Sequence, residues 1–370
     1  MPAASYRAEE GGRVGDPPLR VRRGLPAKSS RTKPLTAAIF GCAGPALLPG
    51  ERAFFAKVRP AGFILFARNC DAPAQVKALV ADLRQSAGVP HAPVLIDQEG
   101  GRVARLRPPH WRHPPPAAVF GRLYERNPTV ALAACRLNAR LIAHELAVLG
   151  IDVDCAPVLD VPQPGSHDIV GDRALAREPA AVAALALAWC RGFAEGGVAP
   201  VIKHIPGHGR ARADSHLSLP EVDASWAELA AADFAPFRAL AGQPWAMTAH
   251  VLYTALDKAA PATASRAIIG DVIRGHIGFA GALMSDDLSM KALAGSFEAR
   301  ASECRAAGCD LALHCNGNLE EMAAVAAGAG ALEGPSLGRY RAALKWRKPP
   351  KRFDAAAALD RLAGLIAPIA

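Results

Sequence analysis

The chain has 370 residues, of which 51% are hydrophobic, so it can bury a large core and form one to three domains. Its formal net charge is +9, but the basic residues concentrate in the first 35 positions and around residues 341–352. No zinc-finger spacing or aromatic RNA-binding signature accompanies them, so we expect no nucleic-acid partner and interpret both ends as solvated surface.

The eight cysteines are scattered without C-x-x-C pairs, and most lie inside apolar runs. This pattern predicts free, buried thiols and a reducing, cytoplasmic location. Export or a membrane span is not expected, because the first residues lack an apolar signal segment and no uncharged apolar run reaches about 18 residues. We also predict no cofactor and no membrane partner.

Residues 1–35 are rich in Arg, Pro, Gly and Ser with little periodicity, which predicts a disordered extension outside the fold. After them, short apolar runs with strand character alternate with segments of helical composition. Eight such runs occur: Ala37–Gly41, Gly62–Ala67, Val94–Asp97, Asp152–Val161, Pro200–His204, Ala246–His250, Ala282–Asp286 and Leu311–Cys315.

This alternation predicts an α/β protein with a parallel sheet covered by helices. Eight units within residues 36–335 fit a single (β/α)8 TIM-like barrel. An open doubly wound sheet is the rival fold, but the G-x-G-x-x-G turn that usually binds phosphate is missing after the first run. Residues 336–370 are predicted to form a basic linker and a last helix, from Ala355, packed on the barrel.

Polar side chains gather where the predicted strands end, which is where such a barrel carries its reactive groups. A single carboxylate at a strand end is more often a helix cap or an ion-pair partner than a catalyst. Several at one rim instead indicate a site. The residues at these ends are Asp97, Lys203, His204, His250, Asp286 and Asp287.

The segment after the fifth run, Lys203–His216, holds three histidines and an acid. Pro206 and two glycines predict an irregular loop, so its histidines can reach over a pocket. Asp214 precedes His216 by two residues and can fix the tautomer of an imidazole that moves protons near neutral pH. The spacing of His204 and His208 would suit a metal only on a helix, so no metal is predicted.

Five segments occur in an order that matches one known family: Pro60–Asn69, Asp97–Arg105, Gly171–Arg173, Lys203–His216 and Ser285–Met290. On these segments, residues 36–330 resemble the family 3 glycoside hydrolases, specifically bacterial β-N-acetylhexosaminidases of peptidoglycan recycling. Several independent motifs in the right order make this resemblance far more specific than any one of them.

The resemblance implies a retaining exo-β-N-acetylglucosaminidase that removes terminal GlcNAc from muropeptides or chitooligosaccharides, through a covalent glycosyl-enzyme. By the same resemblance, Asp286 is the nucleophile, His216 the general acid/base and Asp214 its orienting partner. Strand alternation lets only one of Asp286 and Asp287 face the pocket, and the family pattern selects Asp286. We expect a monomer acting on a small-molecule substrate. The residues that would bind the sugar are Asp97, Arg105, Arg173, Lys203 and His204.

Three other functions are compatible with parts of this pattern. A phosphorylase would use the same covalent step and pass the sugar to phosphate, and an aldolase would use Lys203 as a Schiff-base amine. A non-catalytic sugar-binding protein would lack Asp286 or His216, and both are present. Arg210 and Arg212 make the histidine loop unusually basic, which fits either an anionic aglycone or solvated side chains equally well.

Overall fold

The computed structural model of the chain describes residues 33–215 and 217–367. Short parallel strands form a barrel at its centre. The extension predicted over residues 1–35 falls almost wholly outside the described residues, as does His216. In chain order the strands are β1 (Thr36–Phe40), β2 (Pro60–Leu65), β3 (Val94–Ile96), β4 (Val153–Asp154), β5 (Ala199–Ile205), β6 (Glu221–Val222), β7 (Trp245–Thr248), β8 (Leu252–Tyr253), β9 (Ala282–Asp287) and β10 (Leu311–His314).

Eight of these strands close into one barrel in the order β1-β10-β9-β7-β5-β4-β3-β2, and every pairing in it is parallel. The strands β6 and β8 form a separate parallel pair. Each of the eight predicted apolar runs overlaps one barrel strand. The prediction of a (β/α)8 barrel is confirmed, and the open sheet is excluded because β1 pairs with both β2 and β10.

Alternating side chains divide the core into two layers. Ile39 and Ile64 point into the barrel and pack in its inner core, whereas Phe40 and Phe63 pack in the larger core between the strands and the surrounding helices. Because both faces of each strand are covered, the strands read as continuous apolar runs rather than alternating ones. This is the physical reason that the runs were recognisable.

The helices are α1 (Pro49–Val58), α2 (Pro73–Ala87), α3 (Ala118–Arg126), α4 (Pro128–Leu149), α5 (Pro179–Gly196), α6 (Trp226–Glu228), α7 (Phe234–Ala239), α8 (Phe297–Ala307), α9 (Leu319–Ala329), α10 (Gly334–Trp346) and α11 (Ala355–Ile366). A π-helical turn, Leu229–Asp233, joins α6 to α7, and a second one spans Ile268–His276. Over the described part of the chain, no helix combines the length and the apolar character that a membrane span requires.

Helix α10 lies in the stretch that the sequence predicted to be linker. Its apolar residues Leu337, Tyr340 and Leu344 recur on one face and pack under the amino-terminal end of the barrel. The Tyr340 hydroxyl donates a 2.6 Å hydrogen bond to the carbonyl of Ala61 in β2. Basic residues on the other face obscure this narrow stripe in the sequence, which explains why only the helix from Ala355 was predicted.

We expect Tyr340→Ala to destabilise the fold without altering the chemistry, because Tyr340 lies at the end of the barrel opposite the carboxyl ends of the strands. Loss of a large buried ring costs ~3–5 kcal/mol, whereas Tyr340→Phe removes only the hydrogen bond and costs about 1 kcal/mol. Urea unfolding measures both values. Equal stability of the two variants would contradict the packing described here.

Candidate active site

A pocket of about 380 Å³ opens at the carboxyl ends of the barrel strands. This volume lies in the range of ~300–1,000 Å³ that is usual for small-molecule sites. Its lining brings together six of the eight residues that the sequence predicted for the site. They are Asp97, Arg105, Arg173, Lys203, His204 and Asp286.

The other two predicted residues lie on the loop between β5 and β6. Asp214 is half-buried, and its backbone carbonyl accepts hydrogen bonds from the N–H groups of Leu217 and Ser218. Ser215 lines the pocket. His216 is outside the described residues. The loop therefore reaches the pocket at Ser215, between the two residues predicted to move protons.

A network of five charged side chains forms one wall of the pocket. The Lys203 ammonium lies 2.7 Å from a carboxylate oxygen of Asp97 and 2.7 Å from one of Glu99. Arg105 contacts the second oxygen of Asp97 at 3.2 Å, and Arg173 binds both oxygens of Glu99 at 2.8 and 2.9 Å. Three cations and two anions thus alternate through the wall, and Lys203 joins its two halves.

Mutual attraction keeps these buried groups ionised. Burial raises the pKa of the Glu99 carboxyl, but the charges of Arg173 and Lys203 outweigh it and bring that pKa to about 2. The pKa of Asp97 likewise lies well below its ordinary value, because Lys203 and Arg105 offset burial. For Lys203 burial lowers the pKa, yet Asp97 and Glu99 raise it above the ordinary value.

The raised pKa of Lys203 bears directly on the aldolase alternative. Schiff-base formation needs a neutral amine, which enzymes obtain by lowering the lysine pKa. Here the pKa is shifted in the opposite direction by two carboxylates in contact. The site therefore favours an ammonium that binds and orients, not an amine that attacks a carbonyl.

The His204 ring is held by a carboxylate that the sequence analysis missed. Asp160 is fully buried and lies 2.7 Å from His204 Nδ1, while its other oxygen accepts the backbone N–H groups of His204 and His208 at 3.1 and 2.7 Å. Burial raises the Asp160 pKa, but its interactions with His204 lower it to about 2. With Nδ1 engaged, His204 is left with Nε2 for a ligand.

His208 is also buried, which lowers the pKa of its imidazole to about 4. It is therefore neutral at physiological pH and stacks edge-on against His204, with ring centroids 5.8 Å apart. Across residues 33–215 and 217–367, no group of three His, Cys, Asp or Glu side chains is arranged to hold a metal ion. The buried position of His208 beside His204 is consistent with a structural role in the loop that follows β5.

Asp286 and Asp287 both line the pocket, so strand alternation does not separate them as expected. The register between β9 and β10 is irregular next to them, where Leu311 pairs with Met284 and Leu313 with Asp287. Their hydrogen bonds do separate them. The Asp287 carboxylate accepts from Ser289 N, Ser289 Oγ and Cys315 N at 3.0, 2.6 and 3.2 Å, whereas Asp286 Oδ1 accepts from the backbone N–H of Asp287 at 2.8 Å.

The electrostatic surroundings of Asp286 keep it anionic although it is buried. Burial raises its pKa, but the nearby rings of His204 and His250 and the Asp287 N–H lower it below the ordinary value. His250 itself hydrogen-bonds to Thr263 Oγ1 and to the carbonyl of Asp287. The end of β9 is therefore fixed from both sides, and a buried carboxylate faces the charged wall of the pocket.

The family model described as the glycosyl hydrolase family 3 N terminal domain matches residues 50–336. The chain belongs to this family. It is 43% identical over 282 residues to a protein named beta-hexosaminidase from Alkalilimnicola ehrlichii, with 75% of this chain and 80% of that protein covered.

Native NagZ from Neisseria gonorrhoeae is similar in structure, with a TM-score of 0.81 and 34% identity over 90% of this chain and 98% of that one. NagZ of the same organism in complex with N-trifluoroacetyl-D-glucosamine gives a TM-score of 0.75 at 33% identity, with the same coverage. The predicted family and the prediction that the chain is a glycoside hydrolase are confirmed.

In this family 3 hydrolase, Glu99 was within a recognised segment but was not predicted to be a site residue. It contacts Lys203 and Arg173 at once, so it positions two predicted sugar-binding groups. Its place two residues after Asp97 was the available signal. Asp160 offered less, because it lies inside an apolar run that reads as buried strand.

We expect Glu99→Gln to destabilise the protein at neutral pH by a few kcal/mol at most, on the order of 1–3. The Glu99 pKa falls from an ordinary 4.5 to about 2 on folding, so its contribution is present above pH 4.5 and is lost as the pH falls through 2. Urea unfolding at pH 7 and pH 3 should show the difference from wild type shrinking at the lower pH. A difference that stays constant would contradict the ion-pair account.

Proposed function

We propose that the chain is a retaining exo-β-N-acetylglucosaminidase. The observation that carries this proposal is a buried Asp286, with a pKa below its ordinary value, in a pocket that is also lined by Asp97, Lys203 and Arg173. A carboxylate can trap the oxocarbenium-like carbon, and the polar wall can bind ring hydroxyls. The relative named beta-hexosaminidase and the similar structure that holds N-trifluoroacetyl-D-glucosamine support an N-acylated glucosamine as the sugar.

In the first step, a carboxylate oxygen of Asp286 forms a bond to the anomeric carbon while the glycosidic bond to the aglycone breaks. The imidazolium of His216 gives its proton to the departing oxygen, so the aglycone leaves as an alcohol. In the second step, water attacks the anomeric carbon and returns a proton to His216, and the Asp286 carboxylate leaves. Two displacements at one carbon retain its configuration.

The roles of His216 and Asp214 rest on the resemblance and on the position of their loop. Their neighbour Ser215 lines the pocket, which supports delivery of an acid/base to its edge. Most retaining glycosidases use a second carboxylic acid with a raised pKa for this task. An imidazole oriented by a carboxylate serves the same purpose, because its ordinary pKa already lies near neutrality.

The sugar-binding role falls to Asp97, Arg105, Lys203, His204 and Arg173. Their ion pairs and hydrogen bonds hold them in place before a substrate arrives, so little reorganisation accompanies binding. Contacts of this kind accelerate the reaction only where they strengthen at the transition state. Fixed donors around the hydroxyls of a distorting ring fulfil that condition.

For the wider setting, we propose a terminal GlcNAc on a muropeptide fragment as the substrate, in the cytoplasm, with the enzyme acting as a monomer. The support is the resemblance to the enzymes of peptidoglycan recycling and the similarity to NagZ. Chitooligosaccharides present the same terminal sugar and are the second substrate class.

We expect Asp286→Asn to abolish covalent labelling by a 5-fluoro-N-acetylglucosaminyl fluoride, because the amide is a poor nucleophile. Asp287→Asn should still be labelled, since Asp287 is occupied by Ser289 and Cys315. Intact-mass spectrometry measures the adduct. Labelling of Asp286→Asn together with loss of labelling in Asp287→Asn would reverse the assignment.

A chromogenic N-acetylglucosaminide should be turned over in clear preference to the corresponding glucoside. In His216→Ala, kcat for an N-acetylglucosaminide with an alkyl alcohol as the leaving group should fall about 100-fold or more, since general acid catalysis contributes typically 10²–10⁴. Product analysis in phosphate buffer accompanies the assay. Preference for the glucoside would overturn the substrate, and a glycosyl phosphate as the main product would identify a phosphorylase instead.

A further inference from the structure

Arg210 forms an ion pair that the proposed function does not use. It lies on the loop between β5 and β6, and its Nε donates a 2.7 Å hydrogen bond to Oδ2 of Asp233. The Asp233 carboxylate is completely buried, whereas the Arg210 side chain is about one-fifth exposed, at 19%. A charge pair with one fully buried member is costly to break, because the remaining charge is left without compensation.

Asp233 lies in the helical layer around the barrel. It ends the π-helical turn Leu229–Asp233 and leads into α7, which packs on the outer core through Phe234 and Phe237. The loop approaches this turn so closely that a Cβ at Gly207 would lie 2.9 Å from the Asp233 Cβ. Gly207 also has a φ of 138°, which disfavours other residues. The loop is therefore seated directly against Asp233.

Backbone contacts fix the first part of the same loop. The His208 N–H donates to Asp160, and the carbonyls of Gly209 and Ala211 accept hydrogen bonds of 3.2 and 2.8 Å from Gln163 and His167. Further along, the Ser215 carbonyl accepts a 3.2 Å bond from the N–H of Ala292. The ion pair between Arg210 and Asp233 is thus a further contact between this loop and the barrel, shortly before Asp214 in the chain.

We propose that Arg210 is a positioning residue, whose ion pair with Asp233 sets the placement of the loop segment that carries Asp214 and His216. This inference rests on the proposed function, in which His216 is the acid/base. Arg210 acts through the loop and does not touch the substrate. Of the two arginines that make this loop basic, Arg210 is paired with a buried carboxylate.

Arg212 provides a matched control. It lies on the same loop two residues away and carries the same charge, but its side chain is exposed. Arg210→Ala and Arg212→Ala therefore remove equal charge from one loop, and only the first breaks the pair with Asp233.

The test compares two N-acetylglucosaminides, one with a 2,4-dinitrophenyl leaving group and one with an alkyl alcohol as leaving group. Departure of dinitrophenolate needs no protonation, whereas an alkoxide must be protonated as it leaves. We expect Arg210→Ala to lower kcat/KM about 10–100-fold for the alkyl substrate and less than about 3-fold for the activated one. Arg212→Ala should change neither by more than about 3-fold, and Arg210→Lys should recover part of the loss.

A double variant separates positioning from stability. Burial raises the pKa of Asp233 to about 6 even beside Arg210, so Arg210→Ala leaves a buried carboxyl group that must either ionise without a cation or take up a proton. We therefore expect this variant to lower the unfolding midpoint. Arg210→Ala combined with Asp233→Ala removes both charges and should restore much of the thermal stability. If positioning is the role of Arg210, the double variant still shows the selective loss with the alkyl substrate.

His216→Ala is assayed beside these variants, so that the two proposals fail separately. If His216→Ala shows the leaving-group dependence and Arg210→Ala behaves like Arg212→Ala, the inference is overturned and the proposed function stands. Equal losses of Arg210→Ala on both substrates, or recovery of full activity in the double variant, would also overturn it. If His216→Ala shows no leaving-group dependence, the proposed acid/base fails and the inference fails with it.

Discussion

The ammonium of Lys203, held between the carboxylates of Asp97 and Glu99, is the interaction on which the pocket depends. Either carboxylate alone would be expensive to bury, and the two together would repel each other. Lys203 removes both costs, and Arg105 and Arg173 complete the compensation at the outer oxygens. Because each of these five side chains is already in an ion pair, the wall keeps its geometry before any sugar binds. This is the condition for electrostatic preorganisation.

The buried carboxylates of the barrel have different surroundings, and their proposed roles differ accordingly. Asp97 and Glu99 face cations; in the proposed function Asp97 binds the sugar, and Glu99 positions Lys203 and Arg173. Asp160 instead faces the ring and backbone of His204. The Asp286 carboxylate accepts a hydrogen bond from the backbone N–H of Asp287, and this donor carries no net charge. This carboxylate is thereby held without being neutralised by direct contact with a cation. The proposed nucleophile is thus the anion whose charge remains available to a developing positive centre.

Sequence patterns predicted the barrel, because strands buried on both faces leave continuous apolar runs that end in polar groups. Of the six predicted residues that meet in the pocket, four lie at the ends of such runs, whereas Arg105 and Arg173 were implied only by the family resemblance. The sequence patterns missed what depends on contacts between distant segments. Asp160 reads as part of a strand, and Glu99 and Asp233 acquire their roles only through Arg173 and Arg210. Helix α10 was not predicted for a related reason, because its apolar residues pack against the end of the closed barrel, a contact that the sequence does not show. The separation of Asp286 from Asp287 likewise needed the hydrogen bonds at the end of β9.

In the proposed mechanism, Asp286 and the loop residue His216 cleave the glycosidic bond through a covalent intermediate. The most direct test of this mechanism is the anomeric configuration of the sugar at the moment of its release, followed by proton NMR before mutarotation. Double displacement at one carbon predicts that β-N-acetylglucosamine forms first and that the α anomer appears only as the sugar equilibrates. Initial release of the α anomer would show a single displacement by water and would contradict the account.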